Sequence, residues 1–149
     1  MADITSKIEF TGHQLEVIGE KVRRLDFTFQ NWSDEDLKGI RRAIRSFYRK
    51  VQRASCAYCR RPISTVSVNN CHIEHIAPKS KYPNFLFEPR NLCVICADCN
   101  EIKRHQETIN EILDPLKRAN QRKEYPRSST AFKIVHPHFD DYDDHILIL

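Results

Sequence analysis

Apolar residues recur at helical spacing most clearly in one stretch. Leu37, Ile40, Ile44, Phe47, Tyr48 and Val51 share one face, and Arg41, Arg42, Arg45, Arg49 and Arg53 lie opposite. This periodicity predicts an amphipathic helix. Ser33-Asp34-Glu35-Asp36 precedes it and resembles a capping box, with carboxylates at the positive end of the helix dipole. The basic face is either an ordinary solvated surface or one that meets nucleic-acid backbone. The first thirty residues allow two readings. Thr11-Gly12-His13-Gln14 can cap a helix with Leu15, Ile18, Val22 and Leu25 on one face, whereas the alternation around Ile8-Glu9-Phe10 and Phe27-Thr28-Phe29 suits short strands.

Beyond residue 55 the pattern shortens. A strand is expected near 63–68, a turn at Asn69-Asn70, and a second strand through 71–76 that Pro78 ends. A polar and aromatic loop runs from Lys79 to Arg90. Asn91-Leu92-Cys93-Val94-Ile95 reads as buried, and a helix is expected from about Ala97 past Lys103. Ile109, Ile112 and Leu113 predict a further helical turn stopped at Asp114-Pro115. Residues 116–130 read as a basic, mobile loop, and Phe132–Val135 and Ile146–Leu149 as strands. The chain ends on that apolar run, so a natural C-terminus further on is expected.

Length and composition narrow the class. At 149 residues the chain suits one domain, divided into an N-terminal helical region (1–55), a chemical unit (56–105) and a C-terminal elaboration (106–149). Charged residues make up 30% of the chain, and no apolar run is long enough to span a bilayer, so no membrane partner is expected. Three glycines exclude a glycine-rich phosphate loop. Met1-Ala2-Asp3 leads into mixed polar sequence rather than a basic-then-apolar leader, which points to a reducing cytoplasm. In that compartment, paired cysteines mean metal more often than disulfide. The net charge of +4 admits a nucleic-acid partner. The basic excess lies before and within 56–105, and the tail is slightly acidic.

The cysteines carry the sharpest signal. Cys56-Ala57-Tyr58-Cys59 and Cys96-Ala97-Asp98-Cys99 can present four thiolates to one zinc ion. Such a site is closed, so the zinc is structural and the chemistry lies in what it staples together. Cys93 stands three residues before Cys96 and offers a competing ligand. Cys96 is preferred because Asn100 then follows the second knuckle directly. Cys71 and Cys93 suit buried positions. Glu74 and His75 lie together at a strand end, where a carboxylate can hold a metal while the imidazole serves as general base. Glu74 and Asn100 offer hard oxygens, which favour Mg²⁺ or Mn²⁺. His72 can touch substrate or serve structurally. His105 reads as a surface or DNA-contacting residue. The His136–His145 segment resembles a metal site, although acidic turns are usually solvated.

In order, Cys56/Cys59, Glu74-His75-Ile76 with Pro78, Asn91-Leu92, Cys96/Cys99-Asn100 and Lys103 resemble the HNH endonucleases, over about a third of the chain. The resemblance implies an α+β chain with a ββα-metal core, a structural four-cysteine zinc site and hydrolysis of DNA that leaves 5′-phosphate and 3′-hydroxyl ends. It implies that His75 is the base, that Asn91 braces the loop orienting it, and that Glu74 and Asn100 are ligands of the catalytic metal. Glu74 stands where Asp is more usual. Lys79 and Lys103 are expected at DNA phosphates. His72-Ile73-Glu74-His75 with Pro78-Lys79-Ser80 is further similar to HNH proteins of bacterial anti-phage systems, Septu and retrons among them, in which the nuclease works with a partner ATPase. The alternative is a non-catalytic zinc module that binds nucleic acid or protein.

Overall fold

The computed structural model describes residues 2–110 and 124–147. Thr11 opens the first element. Its side-chain oxygen accepts from the Gln14 N–H at 3.2 Å, and the Gln14 side chain accepts from the Thr11 N–H at 2.9 Å. This reciprocal cap starts α1, Gly12–Val22. The helical reading therefore holds, and residues 8–10 and 27–29 are not strands. Ile18 is buried, but Leu15, Val22 and Leu25 are exposed, so the expected apolar face is only partly used.

The second helix begins later than its sequence signal. Ser33 closes a 3₁₀ turn, Phe29–Ser33, whose own cap is Thr28 with Asn31. Asp34 makes no cap bond; its carboxylate pairs with Lys21 at 2.8 Å. Helix α2 spans Lys38–Val51 and buries Ile40, Ile44 and Tyr48, with Leu37 just ahead. Three of its arginines are tethers. Arg41 donates to the Trp32 and Asp34 carbonyls, Arg45 to Cys71 and Arg49 to Ser67. These bonds favour a structural role for most of the basic face; Arg42 and Arg53 remain exposed.

Strand β1, His72–His75, pairs antiparallel with β2, Leu92–Ile95, placing Glu74 opposite Cys93 and His75 opposite Leu92. The expected strand at 63–68 is absent. Ser64 Oγ instead accepts from the Val66 and Ser67 N–H groups, a local turn that competes with extended pairing, and Val66 and Val68 are exposed. Helix α3, Ala97–Lys103, follows β2 directly. The outer margin of β2 is occupied by other groups. Gln52 accepts from the Val94 N–H at 2.9 Å and donates to the Val94 carbonyl at 2.8 Å, where the Ala57 N–H also bonds. His138 Nε2 donates to the Leu92 carbonyl at 2.8 Å.

The C-terminal part is less regular than expected. Phe132 forms only an isolated bridge with Ile109, and residues 133–135 and 146–147 are not strands. Ile112, Leu113, Asp114-Pro115, residues 116–123 and the last two residues lie outside the described residues. One apolar core nevertheless draws on all three segments, from Ile4 through Tyr48 and Val94 to Phe132. The helices and small antiparallel sheet make an α+β fold. Among the described residues no helix is long and apolar enough to cross a membrane.

The His136–His145 segment is built as packing. His136 is fully buried and stacks on Phe139 at 4.2 Å. Its Nδ1 accepts from the His138 N–H, so the neutral ring donates through Nε2 to Tyr125 Oη at 2.8 Å. Burial pushes His136 down to about 3 and His138 down to about 4. Both stay neutral in the fold, whereas in the unfolded chain they charge below about pH 6.5. Their contribution to stability is complete above that pH and shrinks as pH falls toward 4. The thermal midpoint should fall by several degrees between pH 7 and pH 5. His136→Phe, which keeps the aromatic stack, should reduce that fall, measured by circular dichroism against pH.

Candidate active site and metal centre

Two turns carry the thiols. The first knuckle follows the turn after α2, and the second leads into α3, where Cys96 Sγ accepts from the Cys99 N–H at 3.4 Å. The Sγ atoms of Cys56, Cys59, Cys96 and Cys99 all lie within 4.8 Å of one another, and Cys59 and Cys96 are 3.7 Å apart. Tetrahedral coordination with metal–sulfur bonds of about 2.3 Å puts sulfurs about 3.8 Å apart, so the cluster fits one soft ion. Burial pushes the Cys56 and Cys99 thiols up. A bound cation supplies the charge that lets such clustered thiols ionise. Cys71 and Cys93 are wholly buried and stand outside the cluster.

Glu74, His75 and Asn100 line a single cleft of about 270 Å³. β1 ends at His75, so the strict alternation of faces is lost there and both neighbours reach the cleft. His75 is held on two sides. Its Nε2 lies 3.0 Å from the Leu86 carbonyl, and Trp32 meets its ring edge-on at 4.5 Å. A carbonyl only accepts, so Nε2 carries the proton and the neutral ring keeps a lone pair on Nδ1. Burial, with the nearby Lys79 cation second, pushes His75 down to about 3 despite the Leu86 bond. The imidazole is therefore neutral at pH 7, with Nδ1 unprotonated.

Asn91 fixes the loop that supplies Leu86. It is fully buried; its Oδ1 accepts from the Ala77 N–H at 2.7 Å, and its Nδ2 donates to the Ala77 and Phe85 carbonyls. The side-chain amide thus spans the loop between β1 and β2 from its first turn to the residue before Leu86.

The two lysines expected at phosphates are placed differently. Lys79 is half-buried and lines the cleft. Lys103 is buried instead: its Nζ donates to Glu74 Oε1 at 2.7 Å and to the His75 carbonyl at 3.1 Å. It faces the carboxylate rather than solvent. Burial raises the Glu74 pKa, and the Lys103 charge opposes that shift. His72 lies outside the cleft lining, with Nε2 donating to the Asn69 carbonyl at 3.0 Å.

Several cleft and supporting residues had no local signal in the sequence. Trp32 comes from the N-terminal region, held by Arg41. Glu101 and Arg104 line the cleft from the end of α3, beside His105, for which the sequence offered a surface or DNA-contacting role. Arg104 has φ 46° and ψ −123°, in a turn closed by the Gln106 N–H on the Lys103 carbonyl at 3.1 Å. Glycine dominates that turn position, and another residue there costs about 1–3 kcal/mol.

Comparison with known proteins agrees with this geometry. Residues 56–106 match the HNH endonuclease family. An HNH domain is a ββα-metal fold, and the matched residues hold two strands and a helix in that order, β1, β2 and α3. Over 83 residues the chain is 31% identical to a protein of Vibrio cholerae serotype O1 biovar El Tor named "Retron Vc95 putative HNH endonuclease". That alignment covers 54% of this chain and 39% of the relative, so the chain matches well under half the relative's length. No solved structure matches the chain.

The two clusters make separable predictions. Cys96→Ser should lose bound metal, measured by elemental analysis, and unfold, since a structural ion contributes folding energy directly. Cys93→Ala should keep the metal. Lys103→Met should cost about 3 kcal/mol in urea unfolding, because it strands a buried carboxylate. A near-neutral effect would instead show that the Lys103–Glu74 pair contributes little to the fold.

Proposed function

We propose that this chain is a metal-dependent endonuclease that hydrolyses DNA phosphodiester bonds in bacterial anti-phage defence. The observation that carries the reading is one cleft lined by a carboxylate, an amide oxygen and an imidazole whose free nitrogen is unprotonated. His75 Nδ1 accepts a proton from water as the water oxygen attacks phosphorus. The bond to the 3′ oxygen breaks, and that oxygen takes a proton from solvent water, leaving 5′-phosphate and 3′-hydroxyl ends. Lys79 meets phosphate charge. An anionic phosphate docked there offsets the Lys79 charge, the second cause of the His75 shift after burial, and so makes His75 more basic.

Glu74 and Asn100 would hold Mg²⁺ or Mn²⁺. Their donor set fits: both atoms are hard oxygens, Lys103 engages only Oε1 of Glu74, and the cleft has room for the waters such ions keep. When bound, that ion neutralises charge on the phosphate and the departing oxygen. Zinc suits the four thiolates as the structural ion. Asn91 acts through the loop, as a positioning residue for His75. The retron-named relative supports a defence role, and the resemblance of His72–Ser80 to anti-phage HNH proteins suggests a partner ATPase.

A second reading, a zinc module without catalysis, draws on the Lys103–Glu74 pair, which already neutralises the carboxylate. Purified protein incubated with supercoiled plasmid and Mg²⁺ or Mn²⁺ separates the two. Nicking is expected, with a loss of roughly 100-fold or more in His75→Ala and abolition by EDTA. Undiminished nicking by His75→Ala would overturn the assignment of the base. A chain that binds stoichiometric zinc and neither nicks plasmid nor binds duplex would favour the module.

A further inference from the structure

We propose that Arg104 is a phosphate-binding residue of the cleft, held in a strained backbone conformation at its rim. The inference rests on the nuclease reading of the cleft and goes beyond it by naming a residue that neither the family pattern quoted above nor the sequence periodicity singles out.

Charge is the first observation. A cleft that accepts a polyanion needs cations free to meet it. Lys103 is committed to Glu74 and the His75 carbonyl. His105 Nδ1 is engaged with Ser80 Oγ at 3.1 Å. Of the basic side chains that line the cleft, Lys79 and Arg104 are the ones placed to take phosphate. Arg104 rests against Glu101, but the two side chains are 68% and 71% exposed. A pair so open to water is held weakly and exchanges readily for another anion. Its planar fork then matches two phosphate oxygens.

Backbone is the second observation. With φ 46° and ψ −123°, Arg104 occupies a turn position that glycine fills without strain. Glycine would relax this turn, yet the chain carries the longest cationic side chain there, at the rim of the cleft. The Arg104 Nε bond to the Glu101 carbonyl at 3.0 Å offers a bland alternative, in which Arg104 only caps α3. A capping role predicts that removing the side chain destabilises the protein and leaves binding untouched.

Arg104→Gly and Arg104→Ala separate the two contributions. Glycine removes charge and strain together, whereas alanine removes charge and leaves the strain. Thermal melting should show Arg104→Gly a few degrees above wild type and Arg104→Ala without that gain. Fluorescence anisotropy with a labelled DNA duplex, Mg²⁺ omitted, should show both variants binding several-fold more weakly than wild type. Each plot of log affinity against log salt should flatten by about 0.9, the loss of one phosphate contact. Wild-type affinity and salt dependence in Arg104→Gly would overturn the proposal while leaving the nuclease reading intact. If wild type itself fails to bind duplex, the DNA reading of the cleft falls and this proposal falls with it.

Discussion

Two strands of four residues each cannot hold a cleft in register through their own hydrogen bonds. The constraint that does so here is the convergence of four thiols from segments 37 residues apart, measured from Cys59 to Cys96. It sets where α3 begins, and so where Asn100 and Lys103 fall relative to β1. Asn70 reinforces the placement, because its side chain accepts from the Ala97 N–H at the start of that helix. From that position Lys103 reaches back to bond both the carboxylate and the backbone of the Glu74-His75 pair.

The second ordering influence is exclusion of water around one imidazole. Trp32 and the Leu86 carbonyl, the latter on the loop braced by Asn91, enclose His75 from two parts of the chain. The N-terminal region is thus more than a scaffold beside the cysteine-bracketed core. α2 holds Trp32 through Arg41 and reaches the β1–β2 loop through Tyr48, whose hydroxyl donates to the Pro89 carbonyl at 2.6 Å. Burial keeps the ring neutral, and the Leu86 carbonyl sets its tautomer.

Much of this was legible because it depends on local rules. The Thr11–Gln14 cap, the apolar stripe of α2, the end of β1 before Pro78 and the choice of Cys96 over Cys93 all follow from spacing and side-chain chemistry. What could not be read depends on distant partners. Ser33-Asp34-Glu35-Asp36 has the form of a cap, but Lys21 captures the Asp34 carboxylate. Residues 63–68 have strand-like composition, yet β1 finds its partner at 92–95, across a long loop. Lys103 has the spacing of a phosphate contact, and only the fold turns it toward Glu74. Trp32 carries no motif, since its role exists only where the N-terminal region meets β1.

The closed outer margin of β2 has a consequence for assembly. Sheets of this size commonly recruit another polypeptide by lengthening, the newcomer bonding to free amides and carbonyls along the last strand. Gln52, Ala57 and His138 already satisfy the outward groups of Val94 and Leu92. A companion protein, or a second copy of the chain, therefore cannot lengthen the sheet along this margin. The same plug shields this short ribbon from stacking into fibrils through that edge.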